Sequence, residues 1–188
     1  MKHRKYLSKE EVNALLKATR HGRNGERNYC MVFMAFRHGF RISELLSLKI
    51  SDIDFTSRQI NIRRMKNGLS TIHPFDEDEL KILKAWVQIR KTYSTAHHNN
   101  RLFISERYPQ LSRKQAWSIV RKSGEKAGIC VRAHPHMLRH ACGYVLANEG
   151  ADTRLIQDYL GHRNIRHTVR YTTGNPKRFT DILRIFGL

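Results

Sequence analysis

Acidic residues are scarce in this chain. Its 16 Asp and Glu face 35 Lys and Arg, a formal charge of +19 before any of the eleven histidines takes a proton. A cation of that size repels itself unless a polyanion neutralises it, so nucleic acid is the first partner to consider. Cysteine is also sparse. Cys30, Cys130 and Cys142 form no C-x-x-C pair and are odd in number, so they read as small apolar residues in a reducing cytoplasm. No run of about 18 apolar residues is present, which leaves out a membrane-spanning helix. The basic start, Met1 to Tyr6, leads into no apolar stretch of a secretory signal. Internal repeats, low-complexity tracts and Pro/Gly/Ser-rich linkers are missing as well, and so is a Walker-type glycine loop.

What remains is 188 residues, 40% hydrophobic and 27% charged, enough for one domain with a core of its own. Local patterns predict a mainly α fold with one small antiparallel β-hairpin. A capping box at Ser8 and Glu11 starts a helix over 8–20. An almost wholly apolar stretch predicts a buried helix over 28–38, stopped by Gly39, and a short helix follows over 43–48. Residues 58–64 and 69–75 alternate around Lys66-Asn67-Gly68 as a hairpin with a tight turn. Further helices are expected over 76–91 (inner stripe Leu80, Leu83, Val87), 112–127, 135–148 and 152–160. A brief strand is expected at 102–104. The last stretch, 176–186, sets Phe179, Ile182, Leu183 and Phe186 at i, i+3, i+4, i+7.

Positive charge is concentrated. No acid occurs in 55–75, 107–124, 126–148 or 159–180. Arg63, Arg64, Arg113, Lys114, Arg121, Lys122, Arg163 and Arg166 in these windows are the candidates for gripping phosphates. Within the helix from Pro135, Leu138, Ala141, Cys142, Val145 and Leu146 form a core-facing stripe. His136, Arg139, His140 and Gly143 share a different face, with the glycine leaving room for something to approach. Zinc is the first alternative for such a histidine cluster, but a permanently charged guanidinium among the ligands repels a cation. A phosphate fits the Arg/His group better.

Gly39-Phe40-Arg41-Ile42-Ser43-Glu44-Leu45, His136-Met137-Leu138-Arg139-His140, Leu160-Gly161-His162 and Tyr171 resemble the motifs of tyrosine site-specific recombinases. Three residues separate His136 from Arg139, twenty-three more lead to His162 and nine more to Tyr171. The hairpin Lys66, eight residues before Pro74, matches that family's β-hairpin lysine, although Met65-Lys66-Asn67-Gly68 stands where relatives often carry Gly-Lys-Gly. The stretches 134–143 and 150–172 look closest to the small fimbrial phase-switch invertases.

The resemblance implies the tyrosine recombinase catalytic-domain fold and a set of roles. Tyr171 would attack a backbone phosphodiester, leaving a 3′-phosphotyrosyl link and a free 5′-hydroxyl. Arg41 and Arg139 would hold the non-bridging oxygens. Lys66 would protonate the departing oxygen, with Arg63 or Arg64 as its nearest substitutes. His136 and His162 would hydrogen-bond the same phosphate or assist proton movement. Glu44 would orient Arg41, and His140 would support the site from behind. A free tyrosine ionises near pH 10 and a free lysine near 10.4, so each needs its surroundings to shift it. The phosphotyrosyl bond itself conserves the energy for rejoining, so neither metal nor nucleotide cofactor is implied.

The expected partners are duplex DNA with inverted repeat sites, three further copies of the chain in a tetramer on DNA (monomer or dimer when free), and DNA-bending accessory proteins. The expected location is the cytoplasm, at the nucleoid. One catalytic domain is expected, with a core over about 6–173 and a helix over 174–188 exchanged between protomers. The N-terminal clamp domain of many relatives is not expected. Two other classes remain open at this point: a DNA-binding regulator with vestigial machinery, and a strand-relaxing enzyme of the type IB topoisomerase kind.

Overall fold

A computed structural model describes residues 4–64 and 70–174. The hairpin turn with Lys66, and the amphipathic stretch expected over 176–186, lie outside the described residues.

α1 (Lys9–Thr19) opens with the reciprocal cap read from the sequence: Glu11 N donates to Ser8 Oγ (3.2 Å), and Ser8 N to Glu11 Oε2 (2.8 Å). α2 (Gly25–Arg37) begins three residues before the expected start, because its first turn is polar and announces no apolar face. It is the central rod of the domain, packed by α1, by α4 (Glu77–Arg90) and by α6 (Pro135–Asn148). Gly39 ends the rod at φ +58°, where a Cβ would fall 2.3 Å from Leu160 Cδ2. Only glycine lets the chain turn there while α7 (Thr153–Leu160) presses against it. That turn delivers Arg41 to the start of α3 (Ile42–Ser47).

The hairpin is present as β2 (Gln59–Ile62) and β3 (Thr71–Pro74), antiparallel, with Ile60 opposite His73 and Ile62 opposite Thr71. A third strand that the sequence did not reveal, β1 (Ile53–Asp54), pairs with β2 and gives the order β1-β2-β3. This register buries Ile60, Ile62 and His73 and leaves Ile72 outside. On α4 the buried stripe runs Glu79, Leu80, Leu83, Trp86, Arg90. Trp86 therefore takes the place expected for Val87, which is half-buried.

The strand expected at 102–104 is not formed. Those residues are buried, but irregular partners satisfy their backbone: Trp86 Nε1 donates to Leu102 O (3.0 Å), Leu111 N to Phe103 O (3.1 Å) and Arg27 to Ile104 O (3.4 Å). The pairing nearby is a single bridge, Lys49 with Arg101. α5 (Arg113–Lys126) carries the Ser112/Gln115 capping box and packs on α1. α6 has the expected bounds, although Val145 and Leu146 are half-buried rather than interior. α8 (Arg166–Thr172) was not expected, since Ile165 and Val169 face solvent and no apolar stripe marks it. Cys30 and Cys142 are interior, whereas Cys130 is exposed and so is not a core residue.

The apolar interior is in two parts. One large cluster joins α1 to α6 and the sheet. A small one joins Cys142 and Ala147 of α6, Ile156 and Leu160 of α7, and Tyr171 of α8.

Candidate active site

Arg41 stands at the lip of the turn after α2. Its guanidinium donates to Glu44 Oε1 (2.7 Å) and its backbone N to Glu44 Oε2 (3.1 Å). Glu44 is wholly buried and takes a second guanidinium, that of Arg64, at 3.0 Å. Burial pushes the Glu44 carboxyl up, but the Arg41 hydrogen bond and the Arg64 and Arg41 charges outweigh it and hold it below the usual carboxylate range.

Arg64 was expected at the DNA surface, or as a substitute for Lys66. Its side chain is instead buried, shared between Glu44 and the carbonyl of Tyr159 (2.7 Å), so it braces Glu44 and does not reach solvent. Arg63, one residue earlier and just past the end of β2, is exposed.

Arg139 is 1% exposed, and its guanidinium donates to Gly39 O and to Leu160 O (2.8 Å). The glycine turn and the C-terminus of α7 are thereby tied to α6 through one charged side chain. Burial, then the charges of Arg41 and Arg64, push its pKa down to about 10. Three guanidinium groups thus crowd one place with a single carboxylate between them, a surplus of positive charge suited to an anion.

The histidines lie in the same field. His162 follows Gly161, whose φ of +65° caps α7 and whose Cβ, if present, would fall 2.7 Å from Arg64 Nε. The His162 ring is hydrogen-bonded through Nδ1 to Thr168 Oγ1 (2.8 Å), and burial, followed by Arg139 and Arg41, pushes its pKa down to about 3. His136, on the exposed edge of α6, is lowered by desolvation and then by Arg139. Neither ring carries charge at neutral pH, so each is an uncharged hydrogen-bonding group.

Tyr171 completes the group. It is 1% exposed, with its ring on α6 over Gly143, where a Cβ would come within 2.7 Å of ring atoms Cε2 and Cζ. The space foreseen beside Gly143 is filled by the phenol. Tyr144 meets the ring edge-on (5.1 Å) and His162 lies parallel to it (6.4 Å). Its hydroxyl is hydrogen-bonded to His140 Nδ1 at 2.9 Å. Burial pushes the phenol up to about 12 despite Arg139 and Arg170 nearby. His140, expected to support the site from behind, makes that contact through the phenol itself.

The structure brings Arg41, Glu44, His136, Arg139, His140, His162 and Tyr171 together. Sequence reading missed Thr168, which anchors His162, and Tyr144, which walls Tyr171. Thr168 lies at i−3 from Tyr171, on the same face of α8, and that spacing was a usable signal. Arg113, Lys114, Arg121, Lys122, Arg163 and Arg166 are all exposed, with Arg121 paired to Glu125 (2.9 Å). Among the described residues no three His, Cys, Asp or Glu side chains gather as a metal site, and no helix is long and apolar enough to cross a membrane.

Comparisons with known proteins agree with this geometry. The type 1 fimbriae regulatory proteins FimE and FimB of Escherichia coli (strain K12) are 53% and 50% identical to the chain. The alignments cover 97% and 96% of it, and 92% and 90% of those proteins. The crystal structure of XerA recombinase superposes with a TM-score of 0.83 at 31% identity, over 99% of this chain and 66% of that one. The catalytic domain of bacteriophage HP1 integrase shares the fold, with a TM-score of 0.68 at 18% identity. The family model described as the phage integrase family matches residues 5–178; the chain belongs to that family, the tyrosine recombinases, and its fold is that of their catalytic domains.

Proposed function

We propose that the chain is a site-specific DNA recombinase that inverts a promoter-bearing segment between inverted repeats and so controls fimbrial phase variation. The observation that carries this reading is Tyr171 enclosed with Arg41, Arg139, His136 and His162 around a surplus of buried positive charge. Tyr171 attacks the phosphodiester, and Arg41 and Arg139 hold its non-bridging oxygens as charge builds on phosphorus. His136 and His162 hydrogen-bond the same phosphate. Lys66 protonates the departing 5′-oxygen, and Glu44 with Arg64 behind it keeps Arg41 in place. Reversal of these steps on a new 5′-hydroxyl rejoins the strand.

Arg63, Arg113, Lys114, Arg121, Lys122, Arg163 and Arg166 grip the duplex backbone. Four protomers act on two sites, exchanging residues 174–188, with DNA-bending proteins assisting at the nucleoid. The resemblance to two fimbriae regulatory proteins along nearly their full length supports the fimbrial setting.

A tiled set of nicked duplexes, taken from the DNA on either side of the gene for this chain, tests the reading. A nick just 3′ of the cleaved phosphate lets the short fragment bearing the 5′-hydroxyl escape and traps the covalent adduct. The chain is expected to form an adduct on a few duplexes that share a repeat, and Tyr171→Phe to bind those duplexes equally and form none. Adducts on almost every duplex would mark a strand-relaxing enzyme, and none on any duplex a DNA-binding regulator.

A further inference from the structure

We propose that His140 seats the Tyr171 phenol and takes its proton as the phenolic oxygen bonds to phosphorus. This rests on the recombinase reading above. The phenol must lose its proton as it attacks, and the group hydrogen-bonded to it is the one placed to take that proton. Arg139 and Arg170 are cations and cannot accept. Burial makes the Cys142 thiol and the Tyr144 phenol still weaker acids, so each keeps its own proton. His162 lies parallel to the ring with its Nδ1 engaged by Thr168. His136 packs edge-on against His140, 4.6 Å between ring centres at 76°. The nitrogen on the Tyr171 oxygen is His140 Nδ1, at 2.9 Å, with both side chains buried.

One turn of α6 then supplies both halves of the step: Arg139 faces the phosphate and the next residue faces the nucleophile. As the Oη–P bond forms, the proton passes from Oη to Nδ1. As the P–O5′ bond breaks, the leaving oxygen is protonated from the other side of the site. In rejoining, the imidazolium returns its proton to Oη.

The free protein opposes this transfer. His140 is held to about 4 by burial and by His136, Arg170, Arg139 and His134, while burial lifts the phenol to about 12. The same positive field that disfavours an imidazolium is what a bound phosphodiester neutralises. Proton transfer is thereby tied to the arrival of DNA, and the nucleophile stays protonated until a phosphate occupies the site.

The test uses His140→Asn, whose Oδ1 stands near the place of Nδ1 and accepts the phenolic hydrogen bond but is not basic, and His140→Ala, which does neither. On the nicked duplex the parent cleaves best, His140→Asn is expected to bind within about threefold of the parent. Its adduct should form on the order of 10²-fold more slowly at pH 7. Its rate should climb with pH while the parent's stays level, and a 5′-bridging phosphorothiolate, which leaves without a proton, should not rescue it. Asparagine cleaving like the parent, or rescue by the phosphorothiolate, overturns the proposal.

A second measurement needs no cleavage. ¹⁵N spectra of the DNA-free chain should show His140 with Nδ1 bare and Nε2 protonated; the opposite tautomer overturns the proposal. If the parent forms no adduct on any duplex, it is the recombinase reading that fails, and the tautomer still decides the hydrogen bond.

Discussion

Arg139 and Tyr171 sit in one site and are held by opposite means. Arg139 is held by polar bonds: its guanidinium is bonded to the backbone carbonyls of Gly39 and Leu160, from different elements, beside the buried Arg64–Glu44 pair that the half-buried Arg41 joins. Tyr171 belongs to a cluster of five buried residues on α6, α7 and α8. α8 has seven residues, lacks a side-chain cap at its N-terminus and shows Ile165 and Val169 to solvent. A helix that short has little stability beyond what its packing supplies. The half proposed to hold the phosphate is thus built into the fold, whereas Tyr171, the proposed nucleophile, rides on a small attachment whose position depends on a few side-chain contacts. Damage to the first half should show as lost stability, and damage to the second as lost cleavage with binding kept.

The largest effect follows from Glu44→Ala. It leaves the buried Arg64 guanidinium without its carboxylate and frees Arg41. Breaking a buried pair by removing one partner costs about 3–5 kcal/mol, so urea unfolding should show a loss of that order and the adduct should vanish with it. Removing both charges, Glu44→Leu with Arg64→Met, is expected to cost less than Glu44→Ala alone.

The pH dependence has a definite sign. The Glu44 pKa is depressed in the fold, so its contribution is complete above the ordinary glutamate value of about 4.3 and is lost as pH falls through the native value. The parent's acid limb should therefore be steeper than that of Glu44→Gln. Equal limbs would mean the ion pair adds nothing to the frame.

Gly143→Val makes the opposite kind of lesion. Its Cβ would press into the Tyr171 ring, which must shift by about an ångström. Overpacking costs about 1–3 kcal/mol, while misplacing a nucleophile by that distance costs on the order of 10² in rate. DNA affinity should hold within about twofold and adduct formation fall about 100-fold. A proportionate loss of both would show that the two halves are one unit, contrary to the contrast drawn here.

The frame was far more legible in the sequence than the attachment. α1 and α6 announced themselves through Ser8/Glu11 and Pro135, because helix starts are local chemistry written in adjacent residues. Arg41, Glu44, Arg139, His136, His162 and Tyr171 were legible through motif spacing. What escaped depends on distant partners. Arg64 read as one more surface cation, since nothing near it in sequence reveals Glu44 twenty residues away. α8 escaped because its inward face is only Thr168 and Tyr171. The buried segment at 102–104 looked like a strand because apolar runs do not say where their backbone bonds go.

The smallest effect tests the attachment at its second tether. Thr168→Val keeps the side chain's shape and removes the hydroxyl at His162 Nδ1. One lost hydrogen bond should cost about 1 kcal/mol. His162, held to about 3 by burial and by Arg139 and Arg41, stays neutral in the fold while the unfolded chain takes its proton near pH 6.5. His140, held to about 4, acts in the same direction. Stability should therefore decline as pH falls from about 6.5, and Thr168→Val should lower the whole curve without changing its slope above pH 5. Cleavage should drop about tenfold, because His162 turns away from the phosphate while Tyr171 keeps His140 and Gly143. If Thr168→Val loses as much cleavage as Gly143→Val, the His162 tether, and not the contact with α6, aims the nucleophile, and the seat of Tyr171 lies in α7 and its glycine cap.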